Sequence, residues 1–106
     1  MSAAIALVWT TFDDASKAHE VTSRLVEERL VACGQVELAS VSSCYRWKGA
    51  VQSAEECRVL LKLPTGRVER LRERLAELHP YEVPEFVVME AEASKAYASW
   101  VEESCS

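Results

Sequence analysis

The sequence predicts a single α+β domain with the element order β-α-β-β-α-β, followed by a short terminal helix. Three observations predict this order. The opening segment is continuously apolar over the length of a strand, two later segments repeat apolar residues at helical spacing, and two strand patterns between them meet at Gly49. Right-handed crossovers and short connections fold these elements into a four-stranded antiparallel sheet with both main helices on one face. This is the ferredoxin-like sandwich.

Length and composition limit the protein to one soluble domain. The chain has 106 residues, of which 49% are hydrophobic and 27% are charged, so residues 1–106 form one domain with one modest core. The formal net charge of -5 argues against unspecific binding to nucleic acids or to acidic membranes, both of which reward clustered Lys and Arg. We therefore expect neither a nucleic-acid nor a membrane partner.

The first half of the chain supplies a central strand, a helix and the start of a hairpin. The apolar run 3–9 predicts a strand covered on both faces, and helical periodicity from Asp14 predicts a helix to about Ala32. A strand pattern then changes parity between Leu38 and Val41, which indicates a bulge, and continues to Trp47. Alternation over 41–48 places the following side chains on one face: Val41, Ser43, Tyr45 and Trp47.

The second half completes the sheet. Residues 57–63 alternate cleanly, with Cys57, Val59, Leu61 and Leu63 inward, so this strand and the preceding one form a long, extended hairpin. Thr65 is the expected N-cap of a second helix whose apolar face carries Val68, Leu71, Leu75 and Leu78. Residues 86–89 predict the fourth strand, and 94–103 predict a terminal helix that buries Tyr97, Trp100 and Val101.

A rigid polar corner joins the second helix to the fourth strand. Its sequence is His79-Pro80-Tyr81-Glu82-Val83-Pro84. Each proline lacks an amide hydrogen and disfavours helix for the residue before it, so the connection is stiff. The imidazole, phenol and carboxylate of this corner therefore point in fixed directions, which suits either a ligand site or a structural corner at a subunit contact.

One face of the predicted sheet has no major helix to cover it. The long hairpin also projects beyond a small domain and exposes strand edges, which proteins usually pair with a neighbouring subunit. We therefore expect an intimate homo-oligomer.

Several segments together resemble the CutA family of divalent cation tolerance proteins. The motifs are Tyr45-Arg46-Trp47-Lys48-Gly49, His79-Pro80-Tyr81-Glu82-Val83-Pro84 and the terminal Tyr97-Ala98-Ser99-Trp100, and they occur in the family's order over nearly the whole chain. The resemblance implies a ferredoxin-like homotrimer similar to PII signalling proteins. It also implies binding of copper or another divalent metal and no established catalytic reaction.

The predicted site residues fall into two groups. Some bacterial relatives carry a cysteine in the first strand where this chain has Trp9, so the metal ligands that remain are His79, Cys33 and Glu82. Thiolate and imidazole suit copper better than magnesium or calcium. The predicted ligand-binding or interface residues are Tyr45, Arg46, Trp47, Lys48 and Tyr81.

Structural roles compete with each of these assignments. His79 at a helix end is equally well explained as an imidazolium that caps the helix, and Cys33 as a small buried hydrophobe. Tyr45 and Trp47 also fit interface packing, and Arg46 and Lys48 fit a solvated strand face. Tyr81 and Glu82 fit hydrogen bonds across a subunit boundary, with Arg46 or Lys48 as a cationic partner.

Two functions from different classes remain open. In the first, a homotrimer binds a divalent metal or a small anionic ligand in clefts between subunits and senses or signals. In the second, the trimer is a structural scaffold with no specific metal site.

No motif for an enzyme is present, and the strand corresponding to the RNA-binding strand of RNA recognition motifs lacks aromatic residues. We therefore expect a protein that is not an enzyme. The four cysteines form no C-x-x-C pair, and no basic residue precedes the apolar run at the N-terminus, so we expect free thiols and a cytoplasmic location.

Overall fold

The computed structural model describes residues 1–106 and contains five strands and three α-helices. In chain order they are β1 (Ser2–Phe12), α1 (Ala15–Glu27), β2 (Cys33–Val36), β3 (Val41–Trp47), β4 (Ala50–Leu63), α2 (Val68–Leu78), β5 (Val87–Ser94) and α3 (Lys95–Ser104). A short 3₁₀ turn, Thr65–Arg67, leads into α2. The predicted α+β order is confirmed.

The strands form one antiparallel sheet in which β1 is central. The order across the sheet is β2-β4-β1-β5, and β3 pairs with the far half of β4. Trp9 lies opposite Leu60 on one side and opposite Val87 on the other. The predicted second strand is therefore two strands, β2 and β3, because the chain leaves the ladder between them at the place where the sequence changes parity.

The β3–β4 hairpin turns at Lys48 and Gly49, whose φ angles are 51° and 82°. Two central residues with positive φ are typical of the type I′ turn, whose twist matches that of the flanking strands. The hairpin extends the molecule to 46 Å along its longest axis, against 25 Å along each of the other two. The predicted extended hairpin is confirmed.

Helix α1 ends earlier than its periodicity predicts. Its N-cap Asp14 accepts a hydrogen bond from the Ser16 amide at 2.9 Å. At the other end the Leu30 amide donates to the Leu25 carbonyl at 3.1 Å, and Arg29 adopts a φ of 61°. This is a Schellman motif, which ends the helix at Glu27 rather than Ala32 and turns Leu30 back into the core.

The main core lies between the sheet and helices α1 and α2. Strand residues predicted as inward by alternation and helix residues predicted by helical spacing are buried there: Val59, Leu61, Leu63, Leu25, Leu71 and Leu75. Val8 and Phe12 of β1 are buried in the same core. Helix α2 starts through the 3₁₀ turn without a side-chain cap, so the predicted N-cap role of Thr65 is wrong.

The opposite face of the sheet is partly covered, which the sequence did not predict. Helix α3 buries Val101 and Cys105 against Ile5 and Ala32 on that face. Trp100, expected to be buried, is 45% exposed because it lies on the outer side of α3. The rest of this face, including Val87 and Met89 of β5, stays open to solvent.

Candidate functional site

A cleft of about 870 Å³ lies between the β3–β4 hairpin and the corner that follows α2. We call it the acidic cleft. Its thirteen lining residues are Thr11, Asp13, Ser43, Cys44, Tyr45, Trp47, Ala54, Glu56, Tyr81, Glu82, Val83, Pro84 and Glu85.

The register of the hairpin places one wall of the acidic cleft. Residues directly opposite each other in an antiparallel pair project from the same face of the sheet. Ser43 is opposite Ala54, and Tyr45 is opposite Gln52, so these side chains share one face with Trp47 and Glu56. Ser43 and Ala54 are the small side chains of this wall and line the same cavity as the two aromatic rings.

A hydrogen bond joins the corner to the hairpin. The Tyr81 hydroxyl donates to Glu56 Oε2 at 2.8 Å. Burial and the neighbouring Glu56 carboxylate raise the pKa of Tyr81 well above its ordinary range, so the phenol stays protonated and remains a donor. This bond fixes the distance between the two walls of the cleft.

His79 lies behind the corner, with both ring nitrogens engaged. Nε2 is 2.7 Å from the Thr11 carbonyl oxygen, and Nδ1 accepts a hydrogen bond from the Tyr81 amide at 3.1 Å. A carbonyl can only accept and an amide can only donate, so Nε2 carries the proton and the ring is neutral. His79 is 7% exposed, and its ring stacks on Phe12 with 4.3 Å between ring centroids.

The alternative of a protonated helix-capping histidine is wrong. The ring bonds to Thr11 of β1 rather than to carbonyls at the end of α2. Burial also lowers the pKa of His79 below its ordinary value, although the Thr11 carbonyl and the carboxylates of Asp13 and Glu56 act in the opposite direction. His79 therefore ties the corner to the sheet as a neutral imidazole.

The electrostatics of the acidic cleft favour a cation. Four of the lining residues carry carboxylates, namely Asp13, Glu56, Glu82 and Glu85, and none of the thirteen is Lys, Arg or His. Walls of one charge sign attract ligands of the opposite sign. The cleft is thus poorly suited to the small anionic ligand that the sequence left open.

The structure brings only some of the predicted site residues together. Tyr45, Trp47, Tyr81 and Glu82 line the acidic cleft. Arg46 is opposite Val51, on the other face of β3, and Lys48 lies in the turn with its Nζ 6.0 Å from the centre of the Trp47 ring.

Cys33 is remote from the corner. It pairs with Lys62, whereas Thr11, the partner of His79, pairs with Arg58. Lys62 and Arg58 are four residues apart on β4, which corresponds to about 13 Å at roughly 3.3 Å per residue.

No group of three or more His, Cys, Asp or Glu side chains is close enough within this chain to hold a metal ion. Metal ligation by His79, Cys33 and Glu82 therefore stays a prediction. A metal bound to His79 has to replace one of the ring's two hydrogen bonds.

Three cleft carboxylates are absent from the site residues predicted from the sequence: Asp13, Glu56 and Glu85. Glu56 had a usable signal, because counting outward from a two-residue turn at Lys48 and Gly49 places it opposite Val41. Asp13 and Glu85 gave no such signal, since each lies outside the strands.

Comparison with known proteins identifies relatives along nearly the whole chain. The family model "CutA1 divalent ion tolerance protein" matches residues 6–104. The divalent-cation tolerance protein CutA of Thermus thermophilus is 37% identical over 99 residues, which cover 92% of this chain and 95% of that protein.

Solved structures show the same fold. CutA from Synechococcus elongatus superposes with a TM-score of 0.91 at 31% identity, covering 98% of this chain and 92% of that one. A structure from Archaeoglobus fulgidus, described as a periplasmic divalent cation tolerance protein, has a TM-score of 0.90 at 21% identity and covers 96% and 99% of the two chains.

None of the three helices combines the length and the apolar character that crossing a membrane requires. The family match spans both walls of the acidic cleft, from the hairpin to the corner. The chain belongs to the CutA1 family of divalent ion tolerance proteins.

Proposed function

We propose that this protein is a homotrimer that contributes to divalent cation tolerance by binding cations in the acidic cleft. The observation that carries the proposal is the charge of that cleft, where four carboxylates and no basic side chain line one cavity. Walls that carry only negative charge attract a cation into the cleft. The cation is a divalent metal, with copper among the candidates.

The ligands in the cleft differ from those that the sequence singled out. Glu82 is accompanied by the carboxylates of Asp13 and Glu85, and oxygen ligands of this kind suit hard divalent cations. Copper prefers thiolate and imidazole, which among the ligands predicted from the sequence are Cys33 and His79. Because no three-ligand group exists within one chain, we propose that residues of a second subunit complete the site.

Titration calorimetry of the reduced protein with Cu²⁺, Zn²⁺ and Mg²⁺ tests this proposal. We expect a stoichiometric site whose affinity falls at least tenfold in Glu82→Gln and does not change in Glu73→Gln, an exposed carboxylate variant on α2. Absence of stoichiometric binding of all three metals contradicts the proposal. If Cu²⁺ binding is lost in Cys33→Ser and unchanged in Glu82→Gln, the copper site lies outside the cleft.

Two observations support the proposed trimer. The open face of the sheet indicates an oligomer, and the family resemblance implies three subunits. Val87 and Met89 of β5 are 50% and 51% exposed, and they continue the apolar surface beside α3. Such a patch is typical of a surface that a second copy covers. Sedimentation velocity at micromolar concentration is expected to show a trimer that Met89→Lys dissociates, whereas Val26→Glu on α1 leaves it intact. A folded monomer of the unmodified protein contradicts the proposal.

A non-catalytic role is part of the same proposal. Both nitrogens of the single imidazole beside the cleft are held in hydrogen bonds to the backbone, so the ring is not placed to transfer a proton to a ligand. The family description also names tolerance rather than a reaction.

The structural scaffold is the second candidate, and the contacts of His79 favour it. The His79 side chain joins the end of α2 to β1 and to the corner, which is a structural role. In a scaffold of this kind, metal uptake is incidental chelation by Cys and His. The two candidates differ in the outcome of Glu82→Gln. Loss of metal binding with an unchanged trimer supports cation binding, and unchanged metal uptake supports the scaffold.

We propose a cytoplasmic location because all four cysteines are free thiols, which reducing compartments maintain. Cys44 is exposed and reports on the compartment. Treating cells with a membrane-impermeant maleimide is expected to label Cys44 only after lysis. Labelling after selective permeabilisation of an outer membrane contradicts this location.

A further inference from the structure

We infer that the acidic cleft is built for an organic ammonium ion, with the Tyr45 and Trp47 rings and the cleft carboxylates together recognising its charge. This inference rests on the cation-binding cleft proposed above and names a different class of cation for it. It depends on the aromatic walls, which a metal site would not use.

Within one chain, the acidic cleft is larger than a bare metal ion requires. A divalent metal needs three or more ligand atoms converging at about 2.0 to 2.6 Å. The carboxylates do not converge in this way, and they are distributed around a space of about 870 Å³. A cavity of this volume is in the range of sites that hold small organic molecules.

The aromatic rings supply the second part of the recognition. Tyr45 and Trp47 stand on the same face of β3, two residues apart, and remain 45% and 40% exposed. The face of an aromatic ring carries partial negative charge and attracts a weakly hydrated ammonium group, most strongly at Trp. The ammonium of Lys48, 6.0 Å from the centre of the Trp47 ring, shows that a cation can approach this ring.

The remaining walls are suited to the organic part of such a ligand. Val83, Pro84 and Ala54 are apolar, and the small residues Ser43 and Ala54 line the same cavity as the aromatic rings. A ligand with a positively charged nitrogen and a small apolar body therefore meets complementary surface on each side. A hydrated metal ion gains nothing from these apolar walls.

The walls of the acidic cleft are rigid before a ligand binds. Two prolines stiffen the corner, and the bond between Tyr81 and Glu56 holds it at a fixed distance from the hairpin. A preformed cleft avoids the free-energy cost of ordering its walls when the ligand binds.

Choline and its neutral carbon isostere 3,3-dimethylbutan-1-ol are the probes that test this inference. Calorimetry and ¹⁵N spectra of the tryptophan indoles, with the Trp47 signal assigned from the Trp47→Leu variant, report binding. We expect choline to bind and to shift the Trp47 indole signal, and the isostere to bind at least fivefold more weakly. Trp47→Leu is expected to weaken choline binding by about two- to fivefold, as the loss of one cation–π contact predicts.

Trp100→Leu is the matched control, because Trp100 is similarly exposed but lies on α3, away from the cleft. It should leave choline binding unchanged, and sedimentation of each variant shows whether assembly is intact. Equal binding of choline and the isostere overturns the inference, and so does loss of binding in Trp100→Leu alone.

Metal titrations separate this inference from the proposed function. A stoichiometric, Glu82-dependent metal site without choline binding overturns the ammonium site and leaves the metal function standing. Failure of both choline and the metals to bind overturns both. Choline binding without a metal site supports the inference and shows that the proposed metal site is wrong.

Discussion

The Nε2 atom of His79 lies 2.7 Å from the carbonyl oxygen of Thr11 and donates a hydrogen bond to it. The pairing of β1 with β5 ends at Trp9, so the far end of β1 has a free edge beyond that residue. His79 occupies this edge and takes the place that a strand would otherwise fill. The corner of the acidic cleft is thus attached to the sheet through one neutral imidazole.

The His79 contact predicts a specific dependence of stability on pH. Burial lowers the pKa of His79 in the folded protein below its ordinary value of 6.5, which applies to the unfolded chain. The unfolded state therefore binds the proton first as the pH falls. The stabilisation is complete above about pH 6.5 and decreases as the pH falls from there toward the lowered pKa.

Urea unfolding between pH 7.5 and pH 5, at constant protein concentration, measures this effect. We expect the free energy of unfolding to fall over that interval in the unmodified protein and in His19→Gln. His79→Gln should lose about 1 to 3 kcal/mol at pH 7.5 and show a much smaller decrease below it. A decrease that persists unchanged in His79→Gln shows that another group is responsible.

The bond between Tyr81 and Glu56 predicts the effect of removing one hydroxyl. Tyr81→Phe keeps the ring and deletes the donor, so we expect a loss of about 1 kcal/mol in the free energy of unfolding. Glu56→Gln retains an oxygen that accepts from the phenol and should cost less. Chemical denaturation of both single variants and the double variant measures the coupling. An unchanged free energy of unfolding in Tyr81→Phe would mean that this bond contributes nothing to stability.

Gly34 predicts a packing conflict with Thr22. A β-carbon at position 34 would overlap the Thr22 Cγ2 methyl group, because β2 runs close beneath α1. We expect Gly34→Ala to cost about 1 to 3 kcal/mol, as overpacking of a closed core does. Thr22→Ser removes the methyl group, and Gly34→Ala should cost less in that background.

Gly66 provides the control for this pair. A β-carbon there meets nothing within 4 Å, so Gly66→Ala should be neutral or slightly stabilising. Thermal unfolding of the four variants is sufficient for the comparison. Equal costs at Gly34 with and without the Thr22 methyl group would show that this contact does not set the limit.

The buried hydroxyl of Thr10 predicts that one substitution at this position stabilises the protein. Its side chain is fully buried, and its hydroxyl oxygen has no hydrogen-bond partner. Thr10→Val replaces the hydroxyl with a methyl group of similar size and should raise the free energy of unfolding by about 1 kcal/mol. Thr10→Ala leaves a cavity and should lower it. A loss of stability in Thr10→Val would indicate that the hydroxyl has a partner in solution.

Much of the fold was predictable because periodicity reports which face of an element is buried. The alternation in β4 identified Cys57, Val59, Leu61 and Leu63 as inward, and the helical spacing in α2 identified Leu71 and Leu75. The end of α1 was predicted five residues too far along the chain. Leu30 and Val31 continue the apolar pattern, but they are buried by the turn that follows the helix rather than by the helix itself.

Half of the site was also visible in the sequence. The alternation along β3 placed Tyr45 and Trp47 on one face, and the two prolines marked the corner with Tyr81 and Glu82. Periodicity gave no distance between these two segments. The sequence also gave no distance between Cys33 and His79, which were predicted as ligands of one metal. The strand register separates these two residues.

The sequence by itself determined the element order, the buried faces and the stiffness of the corner, because each depends on residues close together along the chain. Only the tertiary structure decided that His79 meets Thr11, 68 residues away, and that Tyr81 meets Glu56, 25 residues away. Such contacts follow from strand register and helix packing, which no local pattern encodes. For that reason the acidic cleft, with its four carboxylates, became visible only in the folded molecule.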